Sequence, residues 1–198
     1  MPTTLMKIPA QAEPRRKRWT LSECDALDES GLLSGQRLEL VEGELINKMG
    51  KNQPHVISLV LLQALLMGVF GTRRILPEAP IDVAPEDNPT NELQPDLVIL
   101  KRDLSDFTKE KPRPEDLDLV VEVADSTLYF DLTTKAALYA RAGIVDYWVL
   151  DVAGRRMIVH RDPREGRYLS VTVYSSEETV TPLAAPEARL RVGDAFVG

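Results

Sequence analysis

At 198 residues, with 43% hydrophobic and 28% charged side chains, the chain has the make-up of an ordinary globular protein and the length of one domain. One cysteine, Cys24, excludes an internal disulfide and fits a reducing compartment; with no apolar signal-peptide core at the N-terminus, a cytoplasmic location is expected. A net charge of −7 and a pI near 5.0 count against tight, nonspecific nucleic-acid binding through a broad basic surface, though metal-site carboxylates would themselves swell the acidic count.

Residues 1–18 read as a flexible basic tail ending in Arg15, Arg16, Lys17 and Arg18, either a solvated terminus or a phosphate-binding arm; residues 19–198 read as one domain. Thr20 or Ser22 can cap a short helix running to Ser30, with Glu23 and Asp25 favourable in its first turn and Gly31 ending it. RLELVEGELINK (37–48) predicts a hairpin turning at Glu42-Gly43, with Leu40 facing Leu45 and Glu39 sharing a face with Val41, Glu44 and Ile46. On spacing alone Glu39 can be an edge-strand charge that discourages aggregation.

Asn52 as cap and Pro54 in the first turn predict a helix to Phe70. It is apolar nearly all round, which predicts a central, buried helix. The run falls short of the ~20 residues of a membrane span and contains His55 and Gln63, so no membrane association is expected. His55 opens the helix, either as a satisfied structural histidine or facing a functional site. RILPEAPIDVA (74–84) reads as an edge strand broken by prolines, EDNPTNE as a loop, and the charged residues 102–116 as a surface loop or a flap.

The stretch from Asp118 to Asp151 organises the rest. LVVEV (119–123) is a β-branched run suited to a strand buried on both faces, yet it holds Glu122, a charge that is costly there unless a cation or donor meets it. Helical periodicity follows from Leu128 to Ala142, with Gly143 at C′. Asp131 and Lys135, four apart, share a face of that helix, with Tyr139 one turn further on. The Asp131–Lys135 spacing by itself would fit a surface pair worth ~0.3–0.5 kcal/mol, and Lys135→Met is expected to spare the fold. Residues 146–152 return to strand. RRMIVHRD, RYLSVTVY and ARLRVGDAF predict further strands, with turns at Ala153-Gly154 and Glu165-Gly166, and Tyr147 and Trp148 read as core.

Upstream, QPDLVIL (94–100) places Asp96 at the head of another apolar strand. Pairing that strand with LVVEV would bring Asp96 and Glu122 within reach of one hard cation, Mg²⁺ or Mn²⁺, with Lys135 supplying positive charge to a water or a reacting phosphate and Asp131 orienting Lys135. The sequence carries no internal repeat, no phosphate-cradling glycine loop and no cysteine–histidine zinc spacing.

A proline-aspartate pair, a glutamate inside an apolar strand and a following lysine resemble the PD-(D/E)XK nuclease superfamily. RLELVEGEL, His55, QPDLVIL and residues 119–151 more closely resemble the bacterial Uma-two family of endonucleases. That resemblance implies an α/β (α+β) restriction endonuclease-like fold: a central mixed β-sheet flanked by helices, with additional antiparallel strands. It implies an endonuclease acting on nucleic acid, DNA first, with a homodimer as one possible assembly. It also implies that Asp96 and Glu122 bind metal, that Lys135 is catalytic, and that Glu39, His55 and Asp131 are accessory. The position two after Glu122, where the superfamily carries its lysine, is Ala124; the resemblance moves that role to Lys135. A non-catalytic protein that keeps the fold for assembly or nucleic-acid binding, and a hydrolase of a smaller phosphate ester, remain the other readings.

Overall fold

The computed structural model describes residues 16–48, 50 and 52–197. Most of the expected basic tail, residues 1–15, therefore lies outside the described residues. A six-stranded mixed sheet forms the centre, in the order β3 (Ile75–Pro77), β4 (Leu97–Leu100), β5 (Leu117–Ala124), β6 (Asp146–Asp151), β7 (Arg156–Arg164) and β8 (Arg167–Ser175). Every neighbouring pair is antiparallel except β5–β6, which is parallel. A parallel pair needs a crossover. Here it is a helical segment made of α3 (Leu128–Phe130), a π-helical turn (Asp131–Lys135) and α4 (Ala136–Arg141), closed by Gly143 at φ +75°.

Two cores sit on the two faces of this sheet. Leu119, Val121 and Val123 of β5 point to one, with Leu97, Ile99 and Trp148; Val120 and Ala124 point to the other, with Val98, Tyr147 and Tyr139. Glu122 has the parity of the second face. The β-branched run is buried on both sides, as its composition requires.

α1 (Leu21–Glu29) starts at a capping box in which Thr20 Oγ1 accepts from the Glu23 amide and Glu23 Oε2 accepts from the Thr20 amide. β1 (Leu38–Val41) and β2 (Glu44–Asn47) form the expected hairpin, Leu40 opposite Leu45. Glu42 at φ +48° and Gly43 at φ +75° give the two left-handed residues that a tight two-residue hairpin turn demands. β3 is the expected edge strand, and residues 102–116 form short turns at the surface.

The structure corrects the helix at 54–70. α2 (Gln53–Phe70) is capped by Asn52, and its length and composition would suffice to cross a membrane, but it lies as the outer layer on the first sheet face. Leu59, Leu62, Leu66 and Phe70 are buried there, whereas Val56, Ile57 and Val60 face outward. An outer-layer helix has a neighbour on one side only, so uniform apolarity does not bury it all round. The C-terminal segment also departs from expectation. Only β10 (Leu190–Arg191) of ARLRVGDAF is strand; it pairs with β9 (Thr179–Val180), and a 3₁₀ turn, Val192–Ala195, follows.

Candidate active site

β4 and β5 pair with Leu97 opposite Val121, so one further step in that register sets Asp96 opposite Glu122. Asp96 ends the ladder itself: its Oδ2 accepts the Val123 amide at 2.8 Å, a side chain taking the place of a backbone carbonyl. The two carboxylates thus come from adjacent strands, as their positions in the sequence lead one to expect.

The π turn then aims the crossover helix at Glu122. A π turn accommodates an extra residue and is a frequent mark of functional sites. Lys135, the last residue of the turn, and Tyr139, four further on, reach the same oxygen: Lys135 Nζ donates to Glu122 Oε1 at 2.9 Å and Tyr139 Oη at 2.8 Å. Lys135 Nζ also lies 3.3 Å from Glu39 Oε1, which in addition accepts the Gln94 amide at 2.9 Å. Its distance to Asp131 Oδ1 is longer, 3.9 Å, and Asp131 takes a closer hydrogen bond, 2.6 Å, from the Thr127 hydroxyl. Lys135 is therefore held mainly by Glu122 and Glu39, and the expected control by Asp131 is the weakest of the three contacts. Glu39, Asp131 and Lys135 are all buried, so none is a solvated surface charge. His55 sits at the rim, its Nε2 3.5 Å from Asp96 Oδ1.

Charge balance separates this cluster from the structural acids. Buried Asp146 is met by Arg161, the Trp148 indole and the Leu183 amide; buried Asp151 is met by Arg156 and the Gly154 amide. In the cluster, Glu39, Glu122 and Asp131 all lie within 4 Å of one ammonium, that of Lys135. Burial raises the Glu122 pKa to about 8, with Asp131, Asp96 and Glu39 adding to the rise and Lys135 opposing it. Burial likewise raises Asp131 to about 6, against Lys135 and the Thr127 hydroxyl. For Lys135 burial works against the charge, but Glu122, Glu39 and Asp131 outweigh it and push its pKa above the ordinary value. Near neutral pH burial thus favours the protonated form of Glu122, while the neighbouring acids keep Lys135 charged.

The cluster forms the floor of a pocket of about 430 Å³. Arg37, Lys48 and Asn52 lie on its rim, and Phe130 and Ile46 give it apolar walls. Among the described residues no group of three or more His, Cys, Asp or Glu side chains is arranged to hold a metal ion unaided. Mg²⁺ characteristically takes one or two carboxylates and completes its shell with water and substrate phosphate. The hard oxygens of Asp96 and Glu122, on neighbouring strands and lining one pocket, fit that demand.

Tyr139 and Thr127 are site residues that sequence reasoning did not assign. Tyr139 was visible as the position four after Lys135, whereas nothing in the spacing marks Thr127. The Gln94 amide contact was out of reach too, since it depends on how β1 docks.

Residues 22–193 match the family Uma2, whose description reads "Putative restriction endonuclease". No curated protein matches the chain. A similar solved structure is the crystal structure of a putative nuclease belonging to DUF820 from Anabaena variabilis ATCC 29413. It is 19% identical, spans 86% of this chain and 96% of that one, and superposes with a TM-score of 0.65, a likeness of fold.

Proposed function

The chain belongs to the Uma2 family, and from that premise we propose that it is a metal-dependent endonuclease in which Asp96 and Glu122 hold Mg²⁺ or Mn²⁺ and Lys135 acts on the reacting phosphate. The observation that carries this reading is the buried Lys135–Glu122 contact, 2.9 Å long, on the floor of a pocket that Asp96 also lines. A bound divalent ion would supply Lewis-acid polarisation of the phosphate and a more acidic water.

The chain's own residues do the rest. Lys135 keeps its proton at neutral pH, so it serves as a fixed positive charge and donor for a phosphoryl oxygen, not as a base. Tyr139 and Lys135 together hold Glu122 Oε1, which fixes the plane of that carboxylate. The Val123 amide does the same for Asp96. Glu39, anchored by the Gln94 amide, keeps Lys135 from following its charge toward solvent. His55 stands beside Asp96 as an accessory group able to hold a water or a phosphate oxygen at the rim.

DNA is the first substrate to test. Among the described residues, the cationic lining residues of the pocket beyond Lys135 are Arg37 and Lys48, and the chain carries net charge −7. Affinity should therefore come from a few phosphates, giving a log–log salt slope of about −2 to −3 rather than the steep slope of a broad basic binder. The test is cleavage of single- and double-stranded DNA and RNA with Mg²⁺ or Mn²⁺. Chelator should abolish cutting, and Asp96→Asn or Glu122→Gln should slow it by ~10² or more. Cutting at the wild-type rate by either variant overturns the assignment.

A further inference from the structure

β8 is an edge strand of nine residues, and it lacks the devices that keep such edges apart. It pairs with β7 on one side only, and from Tyr168 to Tyr174 it holds no charge, proline or glycine. Leu169, Val171 and Val173 are 52, 54 and 51% exposed, large apolar side chains that the described residues leave about half open to solvent. A groove of about 460 Å³ runs alongside, where Val171 and Val173 meet Ala136, Ala137 and Leu132 of the crossover helix.

The order of residues is symmetric. Leu169-Ser170-Val171-Thr172-Val173 reads apolar, hydroxyl, apolar, hydroxyl, apolar in both directions. Antiparallel partners directly opposite each other must point to the same face, so a two-fold axis has to pass through a residue position and not between two. An axis at Ser170 would set Val173 against Arg167, and an axis at Thr172 would set Leu169 against Ser175. An axis at Val171 alone sets Leu169 opposite Val173, Val171 opposite itself, and Ser170 opposite Thr172.

We propose that β8 pairs with β8 of a second copy of this chain across a two-fold axis at Val171, joining the two sheets into one. The contact is isologous, so it closes at the dimer and leaves no further edge of this kind for chain growth. It is independent of the nuclease reading, because the cluster around Glu122 lies on β4, β5 and the crossover helix.

Sedimentation velocity from about 1 to 100 μM, with the full chain and no metal or nucleic acid, should show a monomer–dimer equilibrium. Val171→Lys places two like charges directly opposite at the axis and should weaken the dimer by about a hundredfold or more. The side chain is half exposed in the monomer, so the variant should keep its circular dichroism and melting temperature. In wild type, hydrogen exchange of the β8 amides should slow as protein concentration rises, a readout that needs no variant. Register is read by crosslinking. Val171→Cys should join to itself through a short bifunctional thiol reagent. Val173→Cys should not, since its two copies stand four positions, about 13 Å, apart along the strand. A monomer at every concentration overturns the proposal, as does a dimer that survives in folded Val171→Lys. Self-crosslinking of Val173→Cys in preference to Val171→Cys overturns the register.

Discussion

Lys135→Met tests whether the lysine belongs to a buried charge cluster or to a surface pair. Its ammonium lies 2.9 Å from Glu122 and 3.3 Å from Glu39, at 5% exposure. With an effective permittivity near 20, each unit-charge contact at ~3 Å is worth about 5–6 kcal/mol before desolvation, and breaking a buried pair from one side typically costs ~3–5 kcal/mol net. Methionine fits the space but leaves the acids without their cation. The expectation from helical spacing that this substitution spares the fold is thereby replaced. The loss should depend on pH. Removing Lys135 takes away the influence that lowers the pKa of Glu122 and of Asp131, so the native variant binds more protons than native wild type. Wherever the native state holds more protons than the unfolded chain, stability falls as pH rises, and the variant should fall more steeply. Urea titrations at pH 5, 7 and 8.5 should give a destabilisation of ~3 kcal/mol or more at pH 8.5 and less than half of it at pH 5. A difference below ~1 kcal/mol that ignores pH would refute the buried-cluster account.

Glu122→Gln removes a carboxyl that is neutral up to about pH 8 in the fold and ionised above about 4.5 when unfolded. The wild type should lose stability as pH rises between those values; the variant should lose less and melt higher at pH 8, as differential scanning calorimetry can show. Because Glu122 must shed its proton to hold an ion, Mn²⁺ binding should release close to one proton near pH 7 and tighten toward pH 8, which calorimetric titration in buffers of different ionisation heat measures. Mn²⁺ at a hundredfold excess over its Kd should stabilise wild type by roughly 2.7 kcal/mol, and Asp96→Asn should abolish most of the resulting rise in melting temperature. Thr20→Ala breaks the capping box of α1 and should cost ~1 kcal/mol in chemical denaturation without touching cleavage.

Local chemistry made much of the fold legible. The β-branched run at 119–123 marked the central strand, Glu42-Gly43 marked a hairpin turn, and Asn52 with Pro54 marked the start of α2. The pairing that brings Asp96 to Glu122 followed from two apolar strands each carrying one acid. What escaped depends on three-dimensional neighbours. The outward face of α2 is as apolar as its inward face, so composition could not show which side the sheet takes. The π turn has no composition of its own and is seen only in the backbone, yet it lies where the chain turns Lys135 and Tyr139 onto Glu122. The helical spacing of Asp131 and Lys135 pointed to a pair between them, while the tighter partners of Lys135, Glu39 and Glu122, are 96 and 13 positions away. Helical periodicity cannot report contacts at such separations.

The central claim is one ion shared by Asp96 and Glu122 beside Lys135. Crystals soaked in Mn²⁺ and measured for anomalous scattering at the manganese edge test it most directly. The account predicts one strong peak in the pocket, with carboxylate oxygens of both Asp96 and Glu122 about 2.0–2.3 Å away and Lys135 outside the ion's own shell. No peak at millimolar Mn²⁺, or a peak that neither carboxylate touches, would contradict it.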